Sequence, residues 1–344
     1  RTNEPRNGFH GGLLSEGGNL GLKRILGNVS NGSDKIGFTL GISRTVYSEG
    51  IDGEDDANNT TANGRIDYRP SGSTNISGRI YFSDAFVRLN TSPDTIGTLP
   101  SNSTIINANP ITLAQLNSYA GGGTITNPGS ANFIPDVNDP DNFQRSKFFN
   151  GQVVLTQLIT SRLTFQAYYS GLRSTRRNEN GILGVGFQSP SESVFEGTIQ
   201  TANGHFNWTP ASNNLVTFGY EYEFENYGNE GFTPDGSGDF SARASQASNT
   251  FYAQDLIGFF DHKLQFAGGF RAQFFNLKKP AFSAGNAPYS DLTLDDPPNA
   301  YTFDGSVSYF FDRTKTKLRA HTGNGYRVPS LYERFGTFYS SFSS

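Results

Sequence analysis

The sequence predicts an all-β fold: a transmembrane, antiparallel, up-and-down β-barrel wall with short turns at one end and long loops at the other. Three observations carry that expectation. Apolar and polar residues alternate with period two in one short segment after another. No segment approaches the roughly 18 consecutive apolar residues of a membrane helix. The composition is also wrong for a dry soluble core: 35% of the 344 residues are hydrophobic, while Gly (40), Phe (30) and Tyr (16) are abundant. A soluble domain of this size fills its interior with more Leu, Val and Ala. A barrel wall needs apolar residues only at every second position, so its average hydropathy stays low.

The strands can be taken in order. Segments 9–16 and 20–29 open the series, and 35–47 sets Ile36, Phe38, Leu40 and Ile42 against Lys35, Thr39 and Ser43. After 60–69, segment 74–87 separates Ile76, Ile80 and Phe82 from Asn75, Ser77 and Arg79. Segments 147–158, 163–173 and 198–208 continue the pattern. In 214–227, Val216, Phe218, Tyr220, Tyr222 and Phe224 alternate with Thr217, Gly219, Glu221, Glu223 and Glu225, so one face is apolar and the other carries carboxylates. Segments 249–259, 263–275, 301–311 and 317–326 complete thirteen strands.

A soluble sandwich alternates too, and the links decide between the two. Those at 30–34, 70–73, 159–162, 209–213, 260–262 and 312–316 are short, whereas 48–59, 88–146, 174–197, 228–248 and 276–300 are mostly long. Backbone in hydrocarbon must be fully paired, and outer-membrane barrels place short turns on the periplasmic side and long loops outside. Trp208, Phe259, Phe260, Phe310 and Phe311 gather beside the short turns, and Tyr47, Tyr227 and Phe275 lie at the long-loop ends, as interfacial aromatics do. Bacterial single-chain barrels have even strand numbers, so thirteen strands imply that residues 1–344 are one part of a larger barrel, with C-terminal strands and an N-terminal plug domain outside them.

A net charge of −4 and the absence of a basic cluster exclude a nucleic-acid surface. Zero Cys fits an oxidising compartment. There is no Gly-x-Ser-x-Gly elbow and no His–carboxylate pair beside a nucleophile, so the chain reads as a non-enzyme. His10, His205, His262 and His321 lack metal-ligand spacing. No metal or cofactor is expected, and the acidic loop segments read first as solvated carboxylates; the alternative is loop-bound Ca²⁺, with Asp52, Asp55, Asp136, Asp139 and Asp141 as oxygen ligands. The polar faces assign Arg65, Asp67, Arg79, Glu221, Glu223, Arg271, Lys317 and Arg319 to the lumen, where charge avoids lipid. Long loops suit ligand capture, and their aromatic candidates are Tyr119, Phe133, Phe187, Tyr227, Phe232 and Tyr289.

The stretch Gly323-Asn324-Gly325-Tyr326-Arg327-Val328-Pro329-Ser330-Leu331-Tyr332-Glu333-Arg334-Phe335-Gly336 sits after the last strand, where a barrel turns outward into a surface loop. It resembles the aromatic-basic-small-Pro-Ser-Leu-x-Glu segment of TonB-dependent outer-membrane receptors, matched by Tyr326, Arg327, Pro329, Ser330, Leu331 and Glu333. Asn249 to Asp255 followed by Leu264 to Arg271 is similar to an aromatic-x-Gln-Asp, Gly-x-Arg hairpin of these receptors. Glu16 to Gly21 followed by Gly37 to Arg44 looks like their first strands. The resemblance implies a bacterial outer-membrane barrel of 22 strands around a plug, in contact with the lipid bilayer and lipopolysaccharide. It implies energised uptake of a siderophore- or cobalamin-type ligand, driven by the TonB–ExbB–ExbD complex through the plug. Lumenal charges would hydrogen-bond that plug. The alternative reading is a passive porin or diffusion channel.

Overall fold

The computed structural model describes residues 5, 7–50, 56–89, 107–125, 130–133, 139–183, 190–283 and 294–336. The chain opens with β1 (His10–Gly17), β2 (Leu22–Gly32), β3 (Ile36–Tyr47), β4 (Ala57–Ser71) and β5 (Thr74–Arg88). The long link that follows holds β6 (Asn107–Pro110), α1 (Leu113–Ala120) and β7 (Ser130–Phe133). Next come β8 (Phe143–Thr160), β9 (Leu163–Asn180), β10 (Ser191–Trp208), β11 (Asn214–Phe232), β12 (Phe240–Phe259), β13 (Leu264–Phe282), β14 (Ala300–Phe311) and β15 (Thr316–Gly323). A short helix, α2 (Leu331–Phe335), comes last.

All strands except β6 and β7 form one 13-stranded sheet in chain order, and every neighbouring pair is antiparallel. This is the meander the alternation predicts. Among the described residues it is open, because β1 pairs only with β2 and β15 only with β14. The polarity of its faces is that of a membrane barrel. On the inner face Asp67 and Thr250 are each 1% exposed, and Ser77, Asn203, Gln246 and Ser248 are also buried. On the outer face Ile80, Val153, Tyr169, Phe251 and Phe303 are all more than half exposed. Side chains crowd on the concave side of a curved sheet and splay on the convex side. Here the crowded side is polar and the splayed side apolar, the reverse of a soluble protein and the arrangement lipid requires.

Two differences from the sequence reading have physical causes. The strands run further toward the long-loop end than alternation indicates: β9 continues to Asn180, β10 starts at Ser191, β11 ends at Phe232, β12 starts at Phe240 and β13 ends at Phe282. Beyond the apolar band the outward face no longer needs to be greasy, and cross-strand ion pairs replace it, such as Arg173–Glu196 at 3.2 Å and Arg177–Glu192 at 2.9 Å. Alternation therefore ends before hydrogen bonding does. The second difference is the structure inside the long link, where β6 and β7 pair in parallel and α1 starts at a capping box. Thr112 Oγ1 accepts from the Gln115 N–H, and the Gln115 side chain accepts from the Thr112 N–H at 2.8 Å. The Thr-x-x-Gln spacing that signals it is legible in the sequence.

Depth follows from the register. Trp208 pairs with Leu163 beside a short turn, and Thr198 pairs with Arg173 ten residues further up. Ten residues span roughly 33 Å along a strand. At the 35–45° tilt of outer-membrane strands that is a rise of roughly 25 Å, about the height of the apolar band. Arg173 thus marks the upper edge of the band.

Candidate functional site

The inner face of β9 to β13 carries a connected polar cluster. Two registers build it. One runs Tyr168, Asn203, Glu221, Thr250, Gln273; the other runs Gln166, His205, Gly219, Tyr252, Arg271, Thr302. Tyr168 Oη donates to Glu221 Oε2 at 2.9 Å, and Asn203 Nδ2 reaches the same oxygen at 3.2 Å. Asn203 also bonds the Tyr252 hydroxyl at 3.1 Å and lies 3.1 Å from His205 Nδ1. Arg271 stands 3.7 Å from Glu221 and donates to Gln273 at 3.4 Å. A cleft of about 440 Å³ opens among them.

This is a hydrogen-bonding wall, with its carboxylate already neutralised by donors. It suits loose, exchangeable contact with another polar surface or with water. Gly219 makes room for it, since a Cβ there would lie 2.6 Å from both the Tyr252 hydroxyl and His205. Gly219→Val should therefore displace Tyr252 and lower stability by about 1–3 kcal/mol through overpacking. A urea midpoint equal to that of the parent would rule this out.

The structure brings Glu221 and Arg271 together and places Glu223 one register above, where Thr201 Oγ1 approaches it at 3.5 Å. Arg65 and Asp67 pair on β4, Nε to Oδ2 at 2.9 Å, and Arg79 lies across from Arg65 on β5. On β15, Lys317 Nζ donates to Gln265 at 3.1 Å and Arg319 is in register with Ser308. All eight lumenal candidates thus share the inner face. Tyr168, Asn203 and Tyr252 escaped the sequence reading because they carry no formal charge at neutral pH, and His205 entered it only as a residue without metal-ligand spacing. Their strand parity, shared with Glu221, is the signal that identifies them.

At the long-loop end the same face turns apolar and is covered by the segment after β15. The sequence reading sends this segment outward; it folds inward instead. Asn324 anchors it, donating to Tyr301 O at 3.0 Å and accepting from Phe303 N at 2.7 Å. Tyr326 Oη reaches Pro298 O at 3.2 Å. Ser330 and Glu333 form a capping box at the start of α2, and Arg327 pairs with Glu333. Leu331 and Phe335, four residues apart on one helical stripe, are each 1% exposed. They pack on Tyr227 and Ala244, with Phe195, Leu277, Phe282 and Leu294 around them. Arg334 ties the helix to Gln246 at 3.4 Å and Asp295 O at 3.2 Å. The cause of the inward fold is this match of apolar stripe to apolar wall. The Ser330 N–H, then Arg327, hold the Glu333 carboxyl below its usual range.

The loop candidates fare unevenly. Tyr227 belongs to strand β11 and is buried under α2, so it is packing and not a ligand-facing loop residue. Phe232 ends β11 at 41% exposure, and Tyr119 is 42% exposed on α1. Phe133 lies in β7 with its side chain outside the described residues, as are Phe187 and Tyr289 altogether. Among the calcium candidates, Asp52, Asp55 and Asp136 also fall outside the described residues. Asp139 is 1% exposed, and Asp139 Oδ1 and Asp141 Oδ1 are buried without a hydrogen-bond partner. Burial, then Asp141, raises the Asp139 pKa. Among the described residues no three acidic or His side chains converge as a metal group.

No family model matches the sequence, and no curated protein matches it in sequence. Solved structures do match in fold. The ferripyoverdine receptor of the Pseudomonas aeruginosa outer membrane superposes with a TM-score of 0.67 at 8% identity, over 93% of this chain and 42% of that one. The ferric-catecholate import receptor Fiu of E. coli K12 gives 0.65 at 13%, over 91% and 50%. The siderophore receptor PiuA of Acinetobacter baumannii gives 0.59 at 11%, over 90% and 48%. The chain spans about half the length of these receptors. Its fold is that of the barrel of TonB-dependent outer-membrane receptors.

Proposed function

We propose that the chain forms part of the wall of an outer-membrane receptor that imports a bulky nutrient, a siderophore- or cobalamin-type complex, in a TonB-driven step, and that it is not itself an enzyme. The observation that carries this reading is the inner face. A porin needs a hydrated lumen, whereas here hydrogen-bonded polar groups below offer one surface for a plug, and Tyr326, Tyr332 and Phe232, still 41–56% exposed at the mouth above the seated α2, offer another for a large, partly apolar ligand. The solved receptors of this fold that are named for ferric chelates support the ligand class. On this reading the TonB–ExbB–ExbD complex acts through a plug, and Asp139 and Asp141 offer oxygens for a loop Ca²⁺.

The test is uptake by the intact gene product under iron-limited growth, using labelled ferric siderophores and cobalamin. Deleting the inner-membrane TonB protein should reduce high-affinity uptake to background while the barrel still assembles. Uptake continuing at the full rate would replace this reading with a passive channel.

A further inference from the structure

On the outer wall, in the belt that faces lipid, β4, β5, β8 and β9 place Gly64, Gly78, Gly151 and Gly171 close together. Two adjacent outward registers contain them: Leu40, Gly64, Ile80, Gly151, Gly171, Gln200 and, below, Phe38, Ile66, Gly78, Val153, Tyr169, Ala202. The missing side chains leave a trough of about 820 Å³, flanked by Phe149 and Tyr169. That volume is in the range of about 300–1,000 Å³ typical of ligand pockets. On the outward face of β11 to β13 large side chains such as Tyr222, Phe251 and Phe270 stand in the belt, and a smaller hollow of about 610 Å³ opens nearer the short turns around Gly268 and Gly305.

Its depth and its upper rim indicate what fills it. Gly171 lies two residues below Arg173, which marks the upper edge of the apolar band, so the trough occupies the outer-leaflet half. In the three registers above it, between β3 and β10, the outward face carries Arg44, Arg145, Lys147, Arg173 and Arg177 against Asp84 and Glu196, a local balance of 5 − 2 = +3. The carboxylates orient two of the guanidiniums: Arg145 bonds Asp84 at 2.9 and 2.7 Å, and Arg173 meets Glu196 at 3.2 Å. A guanidinium bonded on one side keeps donors for another anion. Between rim and trough, Gln200 accepts from Tyr169 Oη at 3.2 Å, leaving its amide NH₂ as a donor at the level where an acyl ester begins.

From this arrangement we infer a lipid site: one acyl chain of the phosphorylated, multiply acylated glycolipid of the outer leaflet lies in the glycine trough, with a phosphate on Lys147 and Arg173. The site rests on the outer-membrane reading of the chain and needs no import function.

The test is native mass spectrometry of the full-length protein extracted from outer membranes in mild detergent. The wild type should retain one such glycolipid. Gly171→Leu fills the trough where an added Cβ meets nothing within 4 Å, and it should lose most of the bound lipid. Lys147→Gln lies above the bilayer and leaves the trough intact; it should weaken retention roughly tenfold, as loss of one charge-assisted hydrogen bond does. Retention unchanged in both variants overturns the site. So does a wild type that carries no lipid, or one that carries a glycerophospholipid in its place. Fractionation of the wild-type protein away from the outer membrane overturns the membrane reading, and this site with it.

Discussion

Val153→Arg will stop most of the full-length protein from reaching its assembled, heat-modifiable form, while Ser170→Lys, a neighbour on the opposite face, will assemble normally. Val153 is 54% exposed on the outer face and pairs with Tyr169, which pairs with Ala202, six residues above Trp208. Six residues are roughly 20 Å of strand and, at barrel tilt, roughly 15 Å of height, close to the middle of the apolar band. An arginine at that depth costs about 2–4 kcal/mol. Ser170 instead shares an inner register with Thr201 and Glu223, where a cation meets a carboxylate. Phe218→Arg provides a graded control, since Phe218 pairs with Phe206 only two residues above Trp208, where the cost falls to about 0–1 kcal/mol. Equal assembly of the Val153 and Ser170 variants would mean that the faces have been exchanged.

Strand number and facing were legible in the sequence because lipid imposes a rule at every second residue. Val216, Phe218 and Tyr222 against Glu221 and Glu223 is that rule, and Tyr222 and Glu221 do face opposite ways. Strand ends were less legible, because above the band the rule lapses while the ladder continues: Arg177 faces outward and pairs with Glu192, well past the last apolar alternation of β9. The polar cluster was half legible. Formal charge pointed to Glu221 and Arg271, but the hydroxyl and amide that bond Glu221 become visible only once register aligns the five strands β9 to β13. The inward fold of the segment from Gly323 to Gly336 depends on a match between two distant surfaces. Leu331 and Phe335 mark one apolar stripe, but nothing local to them says that Ala244 and Tyr227, about a hundred residues earlier, form its partner.

Leu331→Asp should therefore release the mouth without unmaking the wall. Leu331 is 1% exposed between Tyr227 and Ala244, and truncating such a leucine costs about 2–5 kcal/mol even without burying a charge. The 13-stranded ladder does not include α2, so heat modifiability should persist while the segment undocks. Trypsin reports the difference at Arg334, whose guanidinium is tied to Gln246 and Asp295 O when α2 is seated. Cleavage there should accelerate roughly 30-fold or more, the fold-change equivalent of the lower end of that range. Acid should act in the same direction. The carboxyl of Glu333 is held below its usual range by the Ser330 N–H and Arg327, so its contribution is complete at neutral pH and is lost only as pH falls through the lowered value. Glu333→Gln should remove that acid-induced step and leave protection at neutral pH only modestly reduced. Wild-type resistance of Arg334 to trypsin in the Leu331 variant would show that α2 is held by something other than its apolar stripe.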